Sequence, residues 1–296
     1  MTTPMVSVII NCYNSECFLR EAIDSVIAQT FQDWELIFWD NQSTDGSANV
    51  VKSYDDPRIN YYYAPEHTNL GQGRINALEK AKCEWVSFLD ADDFWFPAKL
   101  EKQISLISGD SDIGLIYSNT YIDVFTNANA HPIRKYRIVP QKFLNEPLKY
   151  LLRGNFIPWL TIMFNRQKLL QCGGLQNYAF AVDYDMCLKL VSSAKIIHIP
   201  EFLSVYRIHG DNMSVGNKEI GYSDSWDIIM KYKELSDFKV GAACHIIRCM
   251  VLYLTNGQPL KASGYLRQLI TYKSAAIEAI SFLIWYKFKD LFTRNM

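Results

Sequence analysis

Residues 85–93 read Trp85-Val86-Ser87-Phe88-Leu89-Asp90-Ala91-Asp92-Asp93. A short, almost wholly apolar run suits a strand buried on both faces, and this one ends on three carboxylates within four residues. Pro97 then opens a helix carrying Leu100, Ile104 and Ile107 at helical spacing. Towards the N-terminus the same strand, loop and helix recur three times. Val6-Ser7-Val8-Ile9-Ile10 runs into Asn11-Cys12-Tyr13-Asn14, and Leu19, Ile23, Val26 and Ile27 follow at helical spacing, with Asn14 or Ser15 as the cap. A strand over 34–39, a turn over 41–46 and a helix over 47–54 form the second round. A strand over 59–63, a loop over 65–70 and a helix over 72–82 form the third.

This alternation argues for an α/β fold with a mostly parallel, doubly wound central sheet flanked by helices. Ligands bind such sheets beyond the carboxyl ends of the strands, so residues 11–14, 40–45 and 90–93 are expected to line one cleft. From 113 onward the pattern loosens, with strands expected at 113–117, 160–164, 195–199 and 202–206, and helices near 146–152, 166–172 and 184–193. Beyond 214 only helical patterns remain, at 222–232, 240–254 and 260–292. The reading therefore divides the chain into a domain over 1–215, with halves 1–110 and 111–215, and a C-terminal helical extension over 216–296.

The chain has 296 residues, 49% hydrophobic and 21% charged, with a formal net charge of -1. That excludes whole-chain disorder and argues against nucleic acid as a partner, because phosphate binding needs a surplus of Lys and Arg. Seven scattered cysteines show no paired zinc spacing and read as reduced, buried side chains of a cytoplasmic protein. Residues 1–4 show no signal peptide, and no apolar run reaches the ~20 residues of a membrane span.

The acidic triplet carries the first chemical argument. Like charges so close together need a cation or hydrogen-bond donors to compensate them, and hard Mg²⁺ or Mn²⁺ takes one or two carboxylates plus phosphate oxygens. A solvated turn whose last Asp caps the next helix is the competing reading. Asp40, leaving the second strand, could accept from the imide N–H of a uracil, with Asn11, Tyr13 and Asn14 supplying further groups around the base. Ser43 or Asp45 could equally be ordinary turn and cap residues.

The order of four motifs is more specific than any one of them. Val6 through Asn14, then Asp40 through Ser47, then Asn69-Leu70-Gly71-Gln72-Gly73-Arg74-Ile75-Asn76, then Leu89 through Asp93 together resemble the nucleotide-sugar half of the family 2 glycosyltransferases, over roughly residues 5–215. The resemblance implies the GT-A (nucleotide-diphospho-sugar transferase) fold and inverting transfer, with Asp90-Ala91-Asp92 as the DXD motif. It implies that Asp40 binds uracil, Arg74 holds the base end, Asp90 touches ribose or sugar, and Asp92 coordinates the metal. Arg74 could instead be a surface residue pairing with Glu79. Asn41 and Gln42 depart from the family, which usually has Asp and Gly there, and Val182 stands where Glu is common.

Ala181-Val182-Asp183-Tyr184-Asp185 resembles the family's Glu-Asp motif, making Asp183 the general base, with helix capping a compatible role and Asp185 a rival. Tyr206-Arg207-Ile208-His209, followed by Asn212 and Ser214, resembles a closing segment in which Arg207 and His209 meet the diphosphate or metal. The implied partners are a UDP-sugar donor and a glycan or lipid-linked saccharide acceptor, the implied cofactor Mn²⁺ or Mg²⁺, and the implied setting bacterial surface polysaccharide synthesis. The tail's patch at Ile280, Phe282, Leu283, Ile284, Trp285 and Tyr286, followed by Lys287, Lys289 and Arg294, suits packing, an oligomer interface or contact with the inner membrane surface, and packing is the expectation. A non-catalytic nucleotide-sugar binder stays open through the three departures. A dehydrogenase is disfavoured because no GxGxxG follows the first strand, and a nucleotidyltransferase because no Gly- and Lys/Arg-rich triphosphate loop does.

Overall fold

The computed structural model describes residues 5–107, 110–126, 129–137, 139–210, 212 and 218–293. The chain forms two compact units, residues 1–139 with 157–210, and residues 140–156 with 211–296. The second unit thus takes in 140–156, which the sequence reading placed in the acceptor half.

The first unit opens with β1 (Val6–Cys12), α1 (Glu16–Ile27), β2 (Trp34–Asp40), α2 (Ser47–Lys52), β3 (Ile59–Tyr63), α3 (Leu70–Leu78) and β4 (Trp85–Phe88). There follow β5 (Phe94–Trp95), α4 (Lys99–Ile104), β6 (Ile113–Thr126) and β7 (Asn129–Arg137). Two short helices, α5 (Gln141–Asn145) and α6 (Pro147–Leu152), belong to the second unit. The chain returns to the first with β8 (Met163–Asn165), α7 (Arg166–Gln171), α8 (Val182–Ser193) and β9 (Lys195–Ile208). The sheet order is β3-β2-β1-β4-β8-β6-β9-β5, with β7 paired to β6.

The four N-terminal strands run parallel, β2 to β1, β3 to β2 and β4 to β1. Their carboxyl ends therefore share one edge, as the alternation requires. Every residue of β2 and β4 is buried, which explains why neither strand alternates polar with apolar. Buried Glu35 is accommodated because its carboxylate accepts from Ser7 Oγ at 2.7 Å and Lys82 N at 3.0 Å, tying β1 and β2 to the approach of β4. The Ser15 side chain does not cap α1. Burial of Leu19, Ile23 and Val26 against the sheet stabilises the helix by about 1.5–3 kcal/mol each.

Where the sequence shows two strands around Pro200, β9 is one. Its register against β6 jumps from Ser118↔Ile199 to Asn119↔Phe202, so Pro200 and Glu201 sit in a bulge that needs no ladder donor. The strand expected over 160–164 is shorter, because Pro158 leads into a 3-10 turn at Trp159–Thr161 before β8 begins. Two-residue β5 and Pro-containing β7 carry no alternating pattern and were not foreseen.

The second unit continues with α9 (Lys218–Met230), α10 (Phe238–Thr255), α11 (Pro259–Thr271) and α12 (Lys273–Thr293). The single helix expected over 260–292 breaks at Tyr272, with neither Gly nor Pro to mark it. Helix α10 is central, packing on α6, α9, α11 and α12. By length and composition it is apolar enough to cross a membrane, and half of it is buried within the protein. Gly241 lets it lie flush on α6, since a Cβ there would stand 2.6 Å from the Leu152 carbonyl oxygen. Phe282, Trp285 and Tyr286 of the tail pack around Phe143 within the second unit.

Burial pushes the imidazole of His245 on α10 down to about 4, helped by the neighbouring Arg248 charge, and burial does the same to His198 on β9. An unfolded histidine titrates near 6.5, so below about that pH the unfolded chain takes up protons the native chain refuses. Stability therefore falls as pH drops from about 6.5 towards 4. His245→Phe keeps the ring contact with Trp226 at 5.3 Å and should flatten the fall of Tm with pH. Parallel Tm–pH curves for the two proteins would show that His245 carries none of it.

Candidate active site

The loops leaving β1 and β2 are stitched into one surface. Asn41 N donates to Cys12 O at 2.8 Å, Thr44 N to Asn14 Oδ1 at 2.7 Å, and Asn14 N to Ser43 Oγ at 3.1 Å. Ser15 N donates to Ser47 Oγ, and Glu16 N to Asp45 Oδ2 at 3.0 Å. The first N–H groups of α1 are thus satisfied by the second loop rather than by Asn14 or Ser15, the caps the sequence suggested.

Asp40 is fully buried. Its Oδ1 accepts from Ser43 N at 2.7 Å and its Oδ2 from Tyr61 Oη at 2.6 Å, and burial together with that carboxylate pushes the Tyr61 phenol up. Asp40, which the resemblance assigns to the base, has both carboxylate oxygens bonded within the protein and braces the turn from inside. Beside it, Asn41 bonds both ways with Thr68, donating to its carbonyl at 2.7 Å and accepting from its N–H at 3.2 Å. Asn11, Thr68 and Asn41 converge where Gly73 leaves room, for a Cβ there would stand 3.3 Å from Asn11 Nδ2. Tyr13, half exposed, leans on His67 with ring centroids 4.4 Å apart.

The three carboxylates after β4 are held by three different parts of the chain. Asp90 pairs with Arg74 of α3 at 2.8 Å. Asp92 meets His209 Nε2 at 3.0 Å, with Phe18 against the imidazole at 4.8 Å. Asp93, fully buried, accepts from Arg207 N at 2.8 Å, so it caps no helix. Burial raises the Asp92 and Asp93 carboxyls, Asp93 well above the ordinary range, and the neighbouring carboxylates push in the same direction. Arg74 is no surface residue: its side chain is buried, its guanidinium lies 4.5 Å over the Trp159 ring, and its Nε has no partner. Asn11 Oδ1 and Trp159 Nε1 are likewise buried and unmatched.

Arg207, which the resemblance assigns to the diphosphate or metal, is buried, and its guanidinium lies between Phe18 and Phe94, donates to Asp92 O at 3.2 Å and pairs with Glu21. It ties β9 to the acidic turn and α1. Ser214 lies outside the described residues.

Asp183 is half-buried in the first turn of α8. Its rival Asp185 is buried and pairs with Lys189 at 2.6 Å, while Lys189 also donates to Gly174 O at 2.9 Å. Asp185 therefore fastens the helix to the loop before it. That loop reaches the cleft edge, because a Cβ on Gly71 at the start of α3 would stand 2.1 Å from Tyr178 O.

Asp92 and His209 offer one carboxylate oxygen and one imidazole nitrogen. Among the described residues no three His, Cys, Asp or Glu side chains form a ready metal set, so a divalent cation held here draws its remaining ligands from water or donor phosphates. The pair fits such an ion, since the charge crowding at Asp92 is what a cation relieves. Trp159, Tyr61, Thr68 and Glu21 escaped the sequence reading. Trp159 sits in no motif, and Glu21 reads as a surface acid of α1.

Residues 7–173, more than half of the chain, match the profile of glycosyl transferase family 2. The chain is 29% identical over 232 residues to an Escherichia coli UDP-Glc:alpha-D-GlcNAc-diphosphoundecaprenol beta-1,3-glucosyltransferase, WfgD, covering 78% of this chain and 87% of that protein. It resembles Staphylococcus aureus TarS 1-349 in complex with UDP-GlcNAc, with a TM-score of 0.66, 20% identity and coverage of 93% and 81%. It also resembles the Pyrobaculum calidifontis mannosyltransferase PcManGT in complex with GDP-Man and Mn²⁺, with a TM-score of 0.59, 18% identity and coverage of 97% and 88%. These two likenesses show the fold.

Gln42 occupies positive φ, +68°, at the position where the family usually carries Gly, and its Nε2 donates to Ala64 O at 3.2 Å. A β-branched side chain tolerates that conformation poorly. Gln42→Val should cost at least ~2 kcal/mol in urea unfolding, whereas Gln42→Gly should cost no stability. Equal losses for both would mean that the Ala64 bond, not the backbone, sets the position.

Proposed function

Because the chain belongs to glycosyl transferase family 2, we propose that it moves a hexose or N-acetylhexosamine from a UDP-sugar to a hydroxyl of a lipid-linked glycan, with inversion and a divalent metal. The observation that carries this reading is the meeting of Asp92 and His209 at 3.0 Å beside the Arg74–Asp90 pair, at the carboxyl edge of four parallel strands. The donor end of the cleft is assigned to Asn11, Tyr13, Asn14 and Asn41 for the base, with Asp40 bracing their loop. Arg74 orients Asp90 towards the ribose or sugar, with Ala91 between the two carboxylates of the motif. Arg207 positions Asp92 through its carbonyl.

Mn²⁺ or Mg²⁺ at Asp92 and His209 would offset the charge that builds on the departing diphosphate. Asp183 takes the proton of the acceptor hydroxyl as its oxygen attacks the anomeric carbon. The new carbon–oxygen bond forms on the face opposite the UDP, and the breaking bond leaves its electron pair on the diphosphate. Asp183 suits this role because it is half-buried in the first turn of α8, whereas Asp185 is fully buried. The relative that acts on a diphosphoundecaprenol-linked sugar supports a lipid-linked acceptor, in O-antigen or capsule synthesis on the cytoplasmic face of the membrane. The complexes of TarS with UDP-GlcNAc and of PcManGT with GDP-Man and Mn²⁺ support the donor class and the metal.

Thermal denaturation with nucleotides separates donor from metal. UDP with Mn²⁺ should raise Tm by mass action, and the rise should vanish in Asp92→Asn. A rise that persists without Mn²⁺ and in Asp92→Asn would remove the metal from the account. For Asp183→Asn, kcat should fall by about 10²–10⁴ while UDP-sugar binding is unchanged. Turnover within tenfold of wild type would place the base elsewhere.

A further inference from the structure

The last two helices carry aligned apolar side chains that stand exposed among the described residues of the second unit. Leu260 and Ile270 on α11 are 87% and 65% exposed, with Leu266 between them half exposed. On α12, Ile277 is 76% exposed, and Ile280 and Ile284 about half. At about 100° per residue the first three fall within roughly 120° of arc and the last three within roughly 60°. On α12 the inward face, filled by Ala275, Ala279 and Phe282, lies opposite the stripe, while on α11 Leu266 borders the inward Ala262 and Leu260 and Ile270 turn away from it. Apart from Leu266 the stripe residues are therefore not a frayed edge of the core. Isolated exposed leucines are ordinary, whereas aligned stripes on adjoining helices mark a contact surface.

Charge says which contact. Residues 259–284, the span of both stripes, contain Lys261, Arg267 and Lys273 against one acid, Glu278, which is held by Arg153, while Lys261 reaches Glu219 at 4.0 Å. All three cations are exposed. Arg267 falls between Leu260 and Ile270 on the wheel, and Lys273 continues the α12 stripe one turn before Ile277. Against a second copy, a two-fold interface would lay this mainly cationic face on its own duplicate. An anionic bilayer reverses the sign: apolar side chains enter the acyl boundary while Lys and Arg meet lipid phosphates, each worth about 1 kcal/mol near the surface.

We infer that the outward face of α11 and α12 docks on the surface of an anionic phospholipid membrane. The contact involves neither donor nor acceptor, so it stands or falls apart from the transferase reading.

The test is vesicle flotation of the full chain with neutral phosphatidylcholine and with phosphatidylcholine containing phosphatidylglycerol. The protein should float with the anionic vesicles at low salt, much less with the neutral ones, and lose binding as salt rises. Leu260→Ser/Ile270→Ser/Ile277→Ser alters only exposed positions and should keep Tm while weakening binding at least tenfold. Lys261→Glu/Arg267→Glu/Lys273→Glu should abolish the preference for anionic lipid. Wild type that floats with neither vesicle, or a triple Ser variant that keeps Tm and binds as wild type does, would overturn the inference. A solution dimer by light scattering that the triple Ser substitution dissociates would assign the face to a second copy and overturn it as well.

Discussion

Three carboxylates within four residues, placed at the end of a buried strand, are the constraint around which the rest of the site is arranged. Asp90, Asp92 and Asp93 repel one another in a poorly solvated corner, and each must be balanced locally. The fold recruits a different partner for each. Arg74 comes from α3, 16 residues upstream of Asp90; His209 lies 117 residues beyond Asp92; the Arg207 amide lies 114 residues beyond Asp93. The acidic turn therefore ties the early parallel strands to the end of β9.

The loops of the cleft show the same economy. Acceptors reach across to a neighbouring loop or helix, as Asp45 does for Glu16 while also accepting from Ser47 of its own helix, and Asn14 for Thr44. Such cross-bonding fixes the carboxyl edge without requiring a rigid turn sequence, and it accommodates Gln42 in a backbone conformation that glycine adopts at less cost. Asp40 belongs to this framework, and so does Arg207. Both are charged residues whose cost of burial is offset by bonds that position other groups.

The parallel strands were legible because hydrophobic runs and polar strand ends repeat at short range. So were the placements of residues 11–14, 40–45 and 90–93 on one edge. Less legible was which polar atoms face the cleft. Asp40 and Asn41 are adjacent, and only the bonds from Tyr61 and Ser43 reveal that Asp40 points into the protein. Likewise nothing near Arg207 announces Glu21, nor near Arg74 the ring of Trp159, because those contacts are made across long stretches of chain. The break at Tyr272 and the bulge at Pro200 depend on tertiary packing and register rather than on local propensity.

The account's central claim is that Asp183 and the acidic turn act on opposite faces of one anomeric carbon. It is tested most directly by the configuration of the product made from an α-linked UDP-sugar, read from the anomeric proton coupling in its NMR spectrum. The account predicts a β-linked product and no α-linked one. An α-linked product would show retention, and would contradict a single displacement with Asp183 as the base.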